Sequence, residues 1–185
     1  MGGTVSGAIS RALGGGDHDG AQALALCSLA IGLALGLVLT VAVLTVGPLA
    51  YRQLGGSGPV LQQAIIYSNV AALGILAIWA TNILASIARG SGNMAIPAST
   101  QLAAGVVQII VGGAFGLGIG PVPRLGMAGV ALGQLVAFSC AAITLFLYLR
   151  STRARLQLRL DLSLLSIQRF TQIMRIGAVA MLSPL

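Results

Sequence analysis

Residues 21–49 read AQALALCSLAIGLALGLVLTVAVLTVGPL, a run without one charged side chain. The flanking charges are Asp19 and Arg52, which enclose 32 uncharged residues. A helix needs only about 20 apolar residues to cross the hydrocarbon core of a bilayer. The pattern then repeats. The intervals Arg52 to Arg89, Arg89 to Arg124 and Arg124 to Arg150 enclose 36, 34 and 25 uncharged residues, dominated by Leu, Ala, Ile, Val and Gly. A charge at the bilayer centre costs roughly 2.5 kcal/mol or more, so the few charges stand where the chain leaves the lipid. The sequence therefore predicts an all-α, polytopic membrane helical bundle, with spans at 21–49, 60–88, 95–117 and 127–149.

The composition agrees. The chain is 57% hydrophobic and 7% charged, against about 25% charged in soluble domains. All ten positive charges are arginine, and neither Lys nor Glu occurs. A net charge of +7 raises the question of nucleic acid, but no basic run is interleaved with aromatics, and arginine-rich loops beside apolar spans explain the charge better. No nucleic-acid partner is expected. Cys27 and Cys140 lie inside spans and are expected to be buried thiols. His18 has no second His or Cys at metal-ligand spacing, so no metal or other cofactor is expected. No acidic residue occurs between Asp19 and Asp161, and there is no Ser/His/Asp set or phosphate-binding loop. An enzyme is not expected. Met1 is followed by small polar residues, not by a basic stretch and an apolar run, so no signal peptide is read.

Residues 1–13 read as the end of a helix that begins before the chain does, broken by Gly-Gly-Gly-Asp at 14–17. Asp17 and Asp19 are placed to cap the next helix. Turns follow at 55–59 (GGSGP), at 89–93 (RGSGN) and at 118–126, which holds Pro121, Pro123 and Arg124. After residue 149 come Arg150, Arg153, Arg155 and Arg159. Leu160, Leu164 and Ile167 then share one face of a helix predicted over 156–167 and expected to lie at the interface. Residues 173–185 are apolar but too short to span, so both ends read as truncated. Arg11, Arg89 and the four arginines after residue 149 fall on one side, against Arg52 and Arg124 on the other. The positive-inside rule assigns the first side to the cytoplasm. The expected location is the inner (plasma) membrane of the cell, with multiple passes.

Two residue types stand out within the spans. Gly32 and Gly36, and Gly112, Gly116 and Gly120, recur at four-residue spacing, which lets helix backbones approach closely in lipid. In the third span Gln101, Gly105, Gln108 and Gly112 share one helical face. An amide facing lipid would lack partners, at a cost of several kcal/mol. Two readings remain open for these amides, hydrogen bonding between helices or the lining of a wet cavity. Gln134, Tyr67 with Asn69, and Asn82 are similar polar islands; Asn82, near a membrane end, reads as structural.

Three segments carry a resemblance. Residues 6–21, SGAISRALGGGDHDGA, resemble the loop after the second helix of the MATE (multidrug and toxic compound extrusion) transporters. Arg89-Gly90-Ser91-Gly92-Asn93 resembles that family's R-G-x-G-[DN] turn after the fourth helix. Leu125-Gly126-Met127-Ala128-Gly129-Val130-Ala131 is similar to its L-G-x-x-G-A-A entry to the sixth. The segments stand in the family's order with spans of suitable length between them.

The resemblance implies a twelve-helix antiporter of two six-helix lobes, which expels organic cations, drugs or amphipathic metabolites against protons or sodium. Residues 1–149 would then be most of the N-terminal transport lobe, from the end of helix two through helices three to six. Residues 150–168 would be the basic cytoplasmic linker between lobes, and 169–185 the start of helix seven. Such a chain requires a missing second lobe and would be a non-functional portion by itself. Many members carry an Asn-x-x-x-Asp pair in the fifth helix; the matching positions are Gln108 and Gly112, and Gln134 matches a polar residue early in the sixth. Gly112 has no side chain to hold a proton or cation, so the resemblance carries no ion site to that position. The candidate cavity-lining set is Gln101, Gln108, Gly112, Gln134, Tyr67 and Asn69. The alternatives are a flippase for lipid-linked oligosaccharides of related architecture, for which cavity arginines or lysines would be expected, and a structural membrane subunit.

Overall fold

The computed structural model describes residues 2–118, 123–152 and 154–158. Five helices follow one another: α1 (Gly2–Gly14), α2 (His18–Gln53), α3 (Gly58–Gly90), α4 (Ala95–Leu117) and α5 (Met127–Arg150), with no strand among the described residues. The helices α2 to α5 are each long and apolar enough to cross a membrane, and they coincide with the four expected spans. At about 1.5 Å per residue, even α4 with its 23 residues exceeds a core of about 30 Å.

Local chemistry sets the ends. Asp17 Oδ1 accepts the N–H of Gly20 at 2.7 Å, capping α2 as expected. Asn93 Oδ1 accepts the N–H groups of Ala95 and Ile96, both at 3.1 Å, and so caps α4. Gly92 closes α3 at φ 93, where a Cβ would be strained. Its N–H donates to the Arg89 carbonyl at 3.0 Å, and that of Asn93 to the Ala88 carbonyl at 3.1 Å. Pro97 sits in the first turn of α4, where a missing N–H is harmless.

Two expected boundaries move. The helix of the first span runs past residue 49, carries Pro48 inside and continues to Gln53. The stop is set further on, where Gly55 at φ 86 and Gly56 bond back to Arg52 and Tyr51. The interfacial helix predicted from 156 does not begin there: residues 154–158 are not helical. Ala154, Leu156 and Leu158 are buried and the N–H of Leu158 donates to Leu149 at 2.8 Å, so these side chains cover protein instead of lipid. The rest of that predicted helix, the remaining linker to 168 and the segment 169–185 lie outside the described residues.

The chain divides into two compact units. The first comprises Met1–Gly32, Asn82–Ser99 and Ile143–Leu185. Within it α1 packs on the end of α3. A methyl group at Gly90 would lie 2.8 Å from the Ser6 carbonyl and 3.0 Å from Ile9 Cβ, and Ile9 is fully buried. Gly32 of α2 admits the side chain of Ile83. Asn93 Nδ2 donates to Tyr148 Oη at 2.7 Å, fastening α5 to the turn after α3.

The second unit comprises Leu33–Thr81 and Thr100–Ala142. Gly36 receives Trp79 and Leu76, and Thr40 Oγ1 donates to the Ala72 carbonyl at 3.1 Å, joining α2 to α3. Thr81 Oγ1 donates to the Phe138 carbonyl at 3.0 Å, joining α3 to α5. The helices α4 and α5 pack through Ala104, Ala137 and Ala141 and through paired glycines. A Cβ at Gly133 would collide with the backbone of Gly112, and one at Gly129 with that of Phe115 and Gly116.

Small residues thus hold the interior, while Leu37, Val38, Leu102, Val106, Ile109 and Leu147 point outward. That distribution suits a lipid solvent, where association depends on close packing. Cys27 is buried as expected, but Cys140 is exposed, because it shares the uncovered face of α5 with Ile143 and Leu147.

Substituting Gly133 by Leu is expected to cost at least about 1–3 kcal/mol through overpacking, lowering the thermal midpoint in detergent. Gly113→Ala, where a methyl group meets nothing within 4 Å, should leave it unchanged or higher. Thr81→Val should cost about 0.6 kcal/mol, the usual worth of a hydrogen bond between membrane helices.

Candidate functional site

All six candidate residues belong to the second unit. The sequence places Gln101, Gly105, Gln108 and Gly112 on one face of α4. Along that face cover increases from one end to the other. Gln101 and Gly105 are exposed, Gln108 is half-buried and Gly112 is buried. A Cβ at Gly105 would meet nothing within 4 Å, whereas one at Gly112 would lie 3.5 Å from the Val130 carbonyl and 3.8 Å from Gly133 Cα. The α5 helix therefore closes over one part of the face and leaves the rest open.

At the boundary lies an open pocket of about 460 Å³. Gln108, Gly112, Gly113 and Gly116 line it from α4, and Met127 and Val130 from α5. Gln108 supplies its amide; most of the remaining wall is apolar side chain or glycine backbone. A second open pocket, about 530 Å³, is lined by Tyr51, Pro59, Val60, Gln63, Ala64, Tyr67 and Met127. The structure thus brings Gln108 and Gly112 together and puts Tyr67 in a different pocket, with Met127 in the wall of both.

The other three candidates line neither pocket. Gln134 is half-buried on α5, its Nε2 4.0 Å from where a Cβ of Gly74 would stand. Asn69 and Gln101 are exposed. Among the described residues, none that lines either pocket is charged. Such walls suit uncharged or amphipathic groups held by dipoles, aromatic faces and van der Waals contact.

Sequence reasoning missed several contributors. Gly129 and Gly133 carry the same four-residue spacing that marked Gly32 and Gly36, so the signal was present. Thr40 and Thr81 gave no signal, because a threonine bonding across helices looks like one bonding within its own. Tyr51 and Gln63 become neighbours only through the turn between α2 and α3.

Solved structures share this arrangement of helices. An inward-facing multidrug resistance MATE family transporter of the MOP superfamily matches with a TM-score of 0.84 at 24% identity. A MATE in complex with MaD3S matches at 0.84 and 26% identity. A MOP superfamily transporter from Pyrococcus furiosus, described as having a binding pocket of reverse polarity that suggests a different function, matches at 0.84 and 25%. Each alignment covers 96% of this chain and 38% to 40% of the other, so the chain spans about two-fifths of their length. No curated protein matches. The MatE family profile matches residues 1–113, from α1 through Gly112 and Gly113 of the first pocket on α4. With more than half its length so matched, four apolar helices and the shared fold, the chain belongs to the MatE family of membrane transporters.

Proposed function

We propose that this chain is part of a secondary-active antiporter of the inner (plasma) membrane. The antiporter exports organic cations, drugs or amphipathic metabolites in exchange for protons or sodium. In this reading residues 1–149 are most of the N-terminal lobe, 150–168 the linker between lobes and 169–185 the start of the second lobe. The observation that supports it best is the face of α4. Gln101 is exposed and Gln108 half-buried beside the first pocket. An amide held against hydrocarbon would cost several kcal/mol, so this open face calls for water, substrate or a second lobe. Alternating access supplies all three in turn, as one lobe rocks against the other around a central site.

The neutral lining bears on substrate. A carrier of phosphate-bearing lipids would need guanidinium or ammonium groups in its cavity, and neither pocket offers one among the described residues. A carboxylate used in coupling would have to lie elsewhere, since none occurs between Asp19 and Asp161.

Efflux by the full-length gene product in a drug-sensitive strain tests the reading; no effect on any of a broad panel of cations and dyes would count strongly against it. Gln108→Leu should change efflux at least several-fold at normal protein abundance if the amide lines the transport path. A fall in abundance instead would mark Gln108 as a packing residue.

Accessibility separates a wet face from a lipid-facing one. With Cys27→Ala and Cys140→Ser in the full-length protein, Gln101→Cys should react with a charged, water-soluble maleimide. Ile110→Cys, 63% exposed on the opposite face of the same helix and outside both pockets, should stay unlabelled in lipid. Equal labelling at both positions would contradict the assignment. Residues 1–185 reconstituted alone should show no ion-gradient-driven uptake, and such uptake would remove the need for a second lobe.

A further inference from the structure

The two pockets of the second unit are adjacent compartments. The first is walled by Gln108 and the glycines of α4, the second by Tyr51, Gln63 and Tyr67, and among the described residues their linings share Met127 alone. The backbone at this point is fixed. The Leu125 N–H donates to the Phe115 carbonyl at 2.9 Å, which pins the approach to α5 onto α4. Just beyond Met127, a Cβ at Gly129 would collide with the backbone of Phe115 and Gly116, so the first turn of α5 lies directly against α4. The side chain is not fixed in the same way. Met127 is 53% exposed. It is also the first residue of α5, so no helical turn precedes it to restrict its rotamer. Its thioether chain has three rotatable bonds and little polarity to satisfy. A movable side chain on a fastened backbone thus stands between two pockets.

We infer that Met127 is a partition that selects substrates by length, an inference that rests on the transport reading. The pockets hold about 460 and 530 Å³. Each lies within the range of about 300–1,000 Å³ for small-molecule sites, and the two joined reach its upper end. With Met127 across the boundary, each pocket takes one compact group. The tyrosine faces of the second suit a flat aromatic cation, and the Gln108 amide of the first can hold a polar one. With Met127 turned aside, one elongated molecule occupies both pockets. Its second group then binds at the high effective concentration that the first provides. Compact substrates are indifferent to residue 127, and elongated ones depend on it.

Equilibrium binding to the purified full-length protein tests the partition. The probes are N-methylquinolinium, a single flat cation, and its decamethylene-bridged dimer, which carries two. The wild type should bind the dimer more tightly than the monomer. M127A removes the partition and should strengthen dimer binding roughly threefold, the scale of ordering one flexible side chain, while monomer binding changes far less. M127F, apolar but stiffer, should weaken the dimer by at least as much and again spare the monomer. Thermal unfolding in detergent shows which variants are folded. The proposal fails if the wild type binds neither compound, or if folded M127A and M127F shift both compounds alike or shift neither. If the variants do not fold, Gln63→Cys and Gln108→Cys, each with Cys27→Ala and Cys140→Ser, keep Met127 in place. The dimer, bound as one molecule per protein, should protect both positions from a maleimide; protection of only one would equally overturn the partition. Efflux assays on the same proteins separate the two readings. Dimer-selective binding shifts with no efflux by the wild type would sink the transport reading and leave the partition standing. Efflux of both compounds that M127A and M127F alter equally would sink the partition alone.

Discussion

Close approach of helix backbones is the constraint on which the second unit depends. In lipid there is no hydrophobic gain from bringing two apolar helices together, because the tails are as apolar as leucine. Association rests on van der Waals contact and a few hydrogen bonds, both of which require short distances. The glycines Gly112 and Gly116 on α4 and Gly129 and Gly133 on α5 provide those distances. With the backbones in contact, buried Ala104, Ala137 and Ala141 complete the seam. Larger side chains anywhere along it would hold the helices apart and dissolve the pocket beside Gln108.

The same constraint explains why the pocket exists where it does. A glycine seam brings α4 and α5 together along one part of their length. At its edge, Met127 and Val130 lean over Gln108 without filling the space. Further along, the same face of α4 carries Gln101 and Gly105 and nothing of the unit covers it. Packing and opening are thus neighbouring segments of one stripe. The threonines are a second kind of adhesive: Thr40 and Thr81 each reach a carbonyl on another helix, which in hydrocarbon would otherwise be shared only within its own helix.

The first unit follows a different logic. Its contacts include capped helix ends, a side-chain bond between Asn93 and Tyr148, and a short strap laid back over the bundle. Here the chain meets water and headgroups, so polar groups and arginines are affordable at little cost in desolvation. Residues 156–158 were read from sequence as the start of an amphipathic helix, because Leu160, Leu164 and Ile167 recur on one helical face. Alternation of Ala154, Leu156 and Leu158 was the competing signal, and it prevailed in the described residues because the end of the bundle offered a surface for those side chains.

The spans, their number and order, the cap at Asp17 and the glycine closing α3 were legible in the sequence, because each follows from local rules. Charge cannot enter hydrocarbon, an aspartate before a helix accepts its free N–H groups, and a left-handed turn favours glycine. The candidate amides were legible as polar residues that lipid would penalise, but not their separation into Gln108 beside a pocket, Gln134 against Gly74 and Gln101 and Asn69 in the open. Nor could the sequence pair Gly112 with Gly133 or Tyr67 with Tyr51. Composition fixes which residues must leave water and which must avoid lipid, since that energy belongs to each side chain alone. Which small residues face one another, and hence which polar groups are covered, is a property of pairs of helices and is decided only when they pack.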